Sequence, residues 1–441
     1  MSPEQPVQKS FMKRLAHLMA YPVTQPIAIA SEIIHQPDKA FPVIDFLKGI
    51  SVLMVILFHV FFAVFFLFKK DIEKLNAFIQ SIPSWMSFIL SSDKAVDIFF
   101  LLSSFLLSYG LLKVYHKQKS ISIKRFYLHR FFRIYPLFLV ALLLYGLADP
   151  HKLFTEGWYS LLFIENIFSK GIIPVQWSLS IEVQFYLILP FLILFLVKRR
   201  SPILWLSGLI LISVLVRFWV AYQTPQIYQT PWYAFIHTVD PALYMDAMYY
   251  VIETRITPLL LGVLWAFMLW YKPHYSLSLS TFQKGVVLFT GLSLVYLSMQ
   301  YPFYNAQSSY YHPFNDSLNL AVITLHRFVF SGSILLMVLL FHYDQNTKIS
   351  PPLVRWKGWR LLSEVAYPMY FFHFPFIALA WVIVLGTVNF DHITHIELWR
   401  IPLVFFLAFG FTLYLSLWLN YWVESRFIRM GKRIESRWFK S

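Results

Sequence analysis

Runs of about twenty apolar residues recur along the 441-residue chain, and each is long enough to cross a hydrocarbon core of roughly 30 Å as a helix. Lipid offers the backbone no hydrogen-bond partners, so a span of this length must satisfy its own N–H and C=O groups helically. The runs lie near 41–68, 95–112, 134–148, 180–197, 202–222, 255–271, 285–300, 318–342, 361–384 and 398–424. A weaker stretch, 156–168, is too short and too interrupted to cross, and reads as re-entrant or interfacial. Composition agrees: 58% of residues are hydrophobic and 13% charged, whereas soluble chains are nearer a quarter charged. The expected fold is all-α, a polytopic bundle of about ten transmembrane helices forming one domain over 41–425.

Lysine and arginine orient the bundle through the positive-inside rule. Lys113, Lys117, Lys119, Lys124, Arg125, Arg130 and Arg133 fall on one side, as do Lys198, Arg199, Arg200, Lys348, Arg355, Lys357 and Arg360. The loops 223–253, 301–317 and 385–397 carry no lysine or arginine, although the first outer loop is an exception with Lys69, Lys70, Lys74 and Lys94. Both termini are therefore expected in the cytoplasm. This placement explains most of the +15 formal charge without nucleic acid. Residues 426–441 read as a basic cytoplasmic tail, and 1–40 as a cytoplasmic extension with Phe11, Met12, Leu15, Leu18 and Met19 on one face of an interfacial helix. His17, Pro22 and Pro26 break the only stretch that imitates a signal peptide, so no cleavage is expected. With no cysteine, disulfides, thiolate metal sites and an acyl-cysteine intermediate are excluded.

The first run, IDFLKGISVLMVILFHV, carries Asp45, Lys48 and His59. Eleven residues, about three turns, separate Lys48 from His59, so the two share a helix face, with His59 roughly 16 Å deeper. Lys48 beside Asp45 fits snorkelling at an interface, but an ionisable group deep in a span is a functional candidate. Asp97 and Ser104 share a stripe of the second run. QWSLSIEVQFY brings Trp177, Ser178, Glu182 and Gln184 to the start of the fourth; Trp177 also suits an interface anchor. Tyr367, Tyr370 and His373 recur every third residue in an otherwise apolar run. Arg130 and Arg133, one turn apart, suit either two phosphate groups or simple anchoring. DHITHIE places His392 and His395 one turn apart, but without a second cluster it is a weak metal signal, and no metal is expected.

These pieces, in this order, resemble the acyltransferase-3 family of bacterial membrane acyltransferases. Lys48–His59 has the form of its opening motif, a basic residue, ten residues, then histidine. VDIFFLLSSFLL looks like its second motif, with Ser104 where glycine is usual, and RFFRIYP matches its paired arginines. WSLSIEVQFY is similar to its tryptophan–serine–glutamate motif, with Val183 where a second glutamate is common. YPMYFFHFPF and YWVESRF, the latter at Glu424, resemble its late histidine and closing glutamate motifs.

The resemblance implies an acyl-CoA-dependent O-acyltransferase of the bacterial inner membrane. It would move an acyl group, commonly acetyl from acetyl-CoA, to a hydroxyl of an envelope glycan or lipid-linked glycan on the outer side. Lys124, Arg125, Arg130 and Arg133 would meet the CoA phosphates, and its long arm would run along the Lys48 face toward His59. His59 would act as general base or itself take the acyl group, with Asp97 or Glu182 holding the ring. Tyr370, His373 and Ser178 would donate to the oxyanion, and Asp45, Ser104, Trp177 and Gln184 complete the expected substrate-binding set. The rival reading is a transporter or flippase, whose translocation path also uses buried charges and broken helices.

Overall fold

A computed structural model describes residues 24–36, 42–68, 71–168, 171–271, 278–302, 304, 306, 308–343 and 352–439. The helix expected near Phe11–Met19 lies outside these residues. A helix that the sequence pattern did not single out runs over 24–34 and buries Ile29 and Ile33.

The principal helices are α1 (Pro42–Leu67), α2 (Ala95–Gln118), α3 (Ile123–Gly146), α4 (Gln176–Leu196), α5 (Pro202–Tyr222) and α6 (Thr257–Tyr271). They continue with α7 (Thr281–Gln300), α8 (Asp316–Tyr343), α9 (Ala366–Leu385), α10 (Arg400–Leu419) and α11 (Ser425–Trp438). The protein is all-α and polytopic. Among the described residues, nine helices are long and apolar enough to cross a membrane, while α6 is apolar but has only 15 residues, about 22 Å.

The shortness of α6 has a local cause. Pro258 has no N–H, so the carbonyl of Thr254 loses its helical partner and instead accepts from Arg217 Nη1 at 2.8 Å. The turn Ile252–Arg255 thus stays separate from α6. Eleven of the fifteen residues of α6 are buried, so its length need not match the bilayer. It presses against α2 at Gly262, where an added Cβ would come within 2.0 Å of Ser104 Oγ and 2.2 Å of the Leu101 carbonyl. Only glycine permits that approach, and Trp265 stacks on Phe105 at 3.7 Å to fill the remaining space.

Three boundaries differ from the sequence expectation. α3 begins at Ile123, not near 134, because Ser122 accepts from Arg125 N and starts the helix in the basic stretch. Its ninth span separates into Gly358–Glu364 and α9, broken at Val365. The expected tail is helical: a π-turn, Asn420–Glu424, joins α10 to α11, which packs on α3. The weak stretch near 156–168 forms the helices Pro150–Leu161 and Glu165–Phe168, both too short to cross.

α1 packs against α2, α9, α10 and the 358–364 turn. Pro375, inside α9, leaves the Phe371 carbonyl without its helical donor; Tyr145 Oη supplies one at 2.8 Å. This pins α9 to α3 beside His373.

Candidate active site

A cavity of about 490 Å³ opens between α1, α2, α3, α4, α9 and α11. One end is basic, with Lys48, Arg130, Arg133 and Lys432 in its wall. Phe99, Ser178 and Tyr370 line it further along. Helix direction explains this division: α9 begins beside α3, where Tyr367 Oη donates to the Ile134 carbonyl at 2.9 Å, and Tyr370 and His373 follow at successive turns.

At the basic end Arg133 Nη2 lies 3.1 Å from Glu424, which the π-turn aims inward. Arg130 forms no ion pair among the described residues, and its buried Nε has no hydrogen-bond partner. Glu182 lines the same part of the cavity as Ser103, Tyr186, Arg130 and Lys48. It therefore belongs to the basic part of the cavity, not to the His59 ring.

His59 stands one aromatic ring beyond the cavity, since Tyr370 and His373 have centroids 6.2 Å apart. His59 Nδ1 is 2.9 Å from the Val55 carbonyl and 3.0 Å from His373 Nε2. His373 Nδ1 is 3.2 Å from the Met369 carbonyl. A carbonyl only accepts, so the bonding network assigns the proton to Nδ1 on both rings. His373 Nε2 then accepts a share of the His59 Nδ1–H, and His59 Nε2 keeps a lone pair. His373 is fully buried and His59 half-buried, with the Phe374 ring centroid 4.5 Å from His59. The pair has the chemistry of a general base with its orienting partner, the partner being a second imidazole. Among the described residues no carboxylate hydrogen-bonds to either ring.

The remaining expected site residues separate into two groups. Ser178 Oγ lies 2.5 Å from Tyr370 Oη, which puts two hydroxyls together in the cavity wall. Asp45, Asp97, Ser104, Trp177 and Gln184 are engaged elsewhere. Asp45 pairs with Arg360 at 3.8 Å, and Ser104 Oγ donates to the Phe100 carbonyl at 2.9 Å. Trp177 lies under the Arg255 guanidinium at 5.1 Å, and Gln184 donates to the Phe163 carbonyl and to Asn166.

Asp97 joins a buried charge cluster that the motif reading did not anticipate. Arg327 donates to Asp97 and to Asp93, each at 2.7 Å, and Arg255 lies 3.1 Å from Asp97. Arg217 caps the Ile323, Met248 and Thr254 carbonyls, and Lys94 Nζ donates to the Tyr301 carbonyl at 2.9 Å. A sequence signal existed: arginines within VLVRFWV and TLHRFVF interrupt apolar runs, as His59 does. Glu165, another unanticipated residue, is buried against α4, near the Pro150–Leu161 helix, and accepts from Ser180 and Gln176. Burial pushes its pKa up to about 7, against the opposing effect of these donors.

Among the described residues no group of three or more His, Asp or Glu side chains is placed to hold a metal, and Glu397 of the DHITHIE stretch pairs with Arg400 at 2.6 Å.

The sequence model of the acyltransferase-3 family, described as an acyltransferase domain, matches residues 41–421. A peptidoglycan O-acetyltransferase from Listeria monocytogenes is 26% identical over 384 residues, covering 82% of this chain and 52% of its own length. The chain thus spans about half of that relative. An uncharacterised protein from Haemophilus influenzae is 28% identical over 193 residues, covering 39% of this chain and 73% of its own length. No solved structure gives a significant match.

Proposed function

Because the chain belongs to the acyltransferase-3 family, we propose that it transfers an acyl group, acetyl in the simplest case, from acyl-CoA to a hydroxyl of an envelope glycan. The observation that carries this reading is the His59–His373 pair, whose free Nε2 suits proton abstraction, one ring beyond a cavity with a basic opposite end. The Listeria relative acts on peptidoglycan by its name, which supports a glycan acceptor.

In this reading the nine long helices and α6 make ten spans, both termini are cytoplasmic, and the protein resides in the bacterial inner membrane. Residues 41–425 form the catalytic domain, preceded by the 1–40 extension. Arg130, Arg133 and Lys48 attract the phosphates of the donor, and its thioester extends past Ser178 and Tyr370. The rise from Lys48 to His59 is about 16 Å, a distance suited to an extended pantetheine arm.

The acceptor oxygen attacks the thioester carbonyl carbon while His59 Nε2 takes the hydroxyl proton. A tetrahedral oxyanion forms, to which Tyr370 Oη would donate after turning from its present partners, Ser178 Oγ and the Val175 carbonyl. The C–S bond then breaks, and His59 returns its proton to the departing sulfur. The products are the ester and CoA, with protons balanced.

Two measurements test the reading together. Purified protein given acetyl-CoA and an envelope glycan fraction should release CoA thiol, and removal of the gene should lower glycan O-acylation by mass spectrometry. Neither change occurring would leave the carrier reading, a transporter or flippase, as the better one.

A further inference from the structure

The cavity wall extends beyond the family-matched segment. That match ends at residue 421, yet Ile428, Gly431 and Lys432 of α11 line the cavity's basic end. Close helix contact brings them there: a Cβ on Gly431 would lie 2.8 Å from Phe132 Cβ, so α11 seats directly on α3 only with glycine at this position. One turn further along, Glu435 fastens the helix. It accepts from His129 Nε2 at 2.6 Å and pairs with Arg125 Nε at 3.0 Å, and Arg125 also donates to the Phe439 carbonyl at 3.2 Å.

Lys432 is thereby held in the same cavity as Arg130 and Arg133 but from a different helix. It is exposed and forms no ion pair among the described residues, whereas Arg133 is paired with Glu424. A small charged group would be met by the α3 arginines alone. Cations on two walls instead match a donor whose phosphates are spread over more than one position.

We propose that Lys432 is a donor-binding residue that reads the phosphorylated nucleotide end of the acyl donor, so that α11 confers preference for a CoA thioester over an unphosphorylated one. This rests on the acyl-CoA reading above. The other role open to a basic amphipathic helix is attachment to anionic lipid, which Arg433 and Arg437, outside the cavity wall, would serve equally well.

The test compares acetyl-CoA with acetyl-pantetheine, which lacks the phosphates, using full-length protein in nanodiscs of fixed lipid composition. Lys432→Ala should lower the ratio of kcat/KM for acetyl-CoA over acetyl-pantetheine by about two- to fivefold, as expected for one exposed charge contact. The loss should lie in KM. Lys432→Arg should restore the ratio, and Arg433→Ala should leave it unaltered. An unchanged ratio in Lys432→Ala, or an equal fall in Arg433→Ala, would overturn the proposal. A wild-type protein that turns over neither thioester and does not bind CoA would instead overturn the acyl-CoA reading itself.

Discussion

Two arginine sites in this molecule have opposite characters. Arg327 is 4% exposed and bound to two carboxylates, whereas Arg133 is 38% exposed with one carboxylate, and its neighbour Arg130 has none. The first site uses its donors on Asp93 and Asp97 and joins α8 to α2 across 230 residues of sequence. The second keeps donor capacity facing a cavity. A π-turn serves each: Met245–Tyr249 sets Tyr249 under Arg255 and Arg327, and Asn420–Glu424 sets Glu424 against Arg133. Donors at the first site turn onto buried carboxylates, whereas those at the second face a cavity.

The sharpest way to break this comparison is to remove Arg327. Arg327→Met leaves Asp93 and Asp97 buried with reduced compensation, and stranding such charges costs about 3–5 kcal/mol. Folded protein in the membrane and its melting temperature in detergent should both drop sharply. Arg327→Lys should rescue little, because one ammonium does not reproduce the fork to two carboxylates. Unaltered melting by Arg327→Met would mean that the cluster carries no structural load.

Arg130→Ala should have a smaller effect of a different kind. KM for acetyl-CoA should rise about ten- to a hundredfold, the range for a charge-assisted contact, with melting unchanged. Arg133→Ala should raise KM and also destabilise, since Glu424 loses its cation. Adding Glu424→Gln to Arg133→Ala should then recover melting but not KM. Recovery of both would reduce Arg133 to a fastening residue like Arg327.

Glu165 gives the smallest effect. Its folded pKa is near 7, raised above the ordinary value of 4.5, so between these limits the folded state holds more protons than the unfolded one. Stability is thus fullest at low pH and falls as pH rises through the folded value. The loss between pH 6 and pH 8 should be about 1.4 kcal/mol, read as a lower melting temperature. Glu165→Gln should flatten that portion of the profile, and a slope retained in the mutant would assign it to another group.

The spans were legible because twenty-residue apolar runs leave the backbone no alternative to a helix. The extra length of α3 and the folded tail were less so, since both depend on where a basic amphipathic segment docks, as Gly431 does on Phe132. For the site, the Lys48–His59 spacing fixed a common face. It did not show that His59 meets His373 across 314 residues, nor that Asp97 is engaged by two arginines. Carboxylates were expected beside the ring because they are its commonest partners. Here the arginines claim Asp97, and the side chain 3.0 Å from His59 Nδ1 is a second imidazole. Lys432 carried no distinguishing pattern among the basic residues around it.

The central claim is that His59 is the base and His373 its orienting partner. The most direct test is acyl transfer by His59→Gln at matched membrane abundance. Glutamine keeps some hydrogen bonding yet does not take the proton, so the rate should fall by about 10²–10⁴-fold, the usual loss for a missing general base. Turnover within a few-fold of wild type would contradict the account and assign the histidine pair to packing.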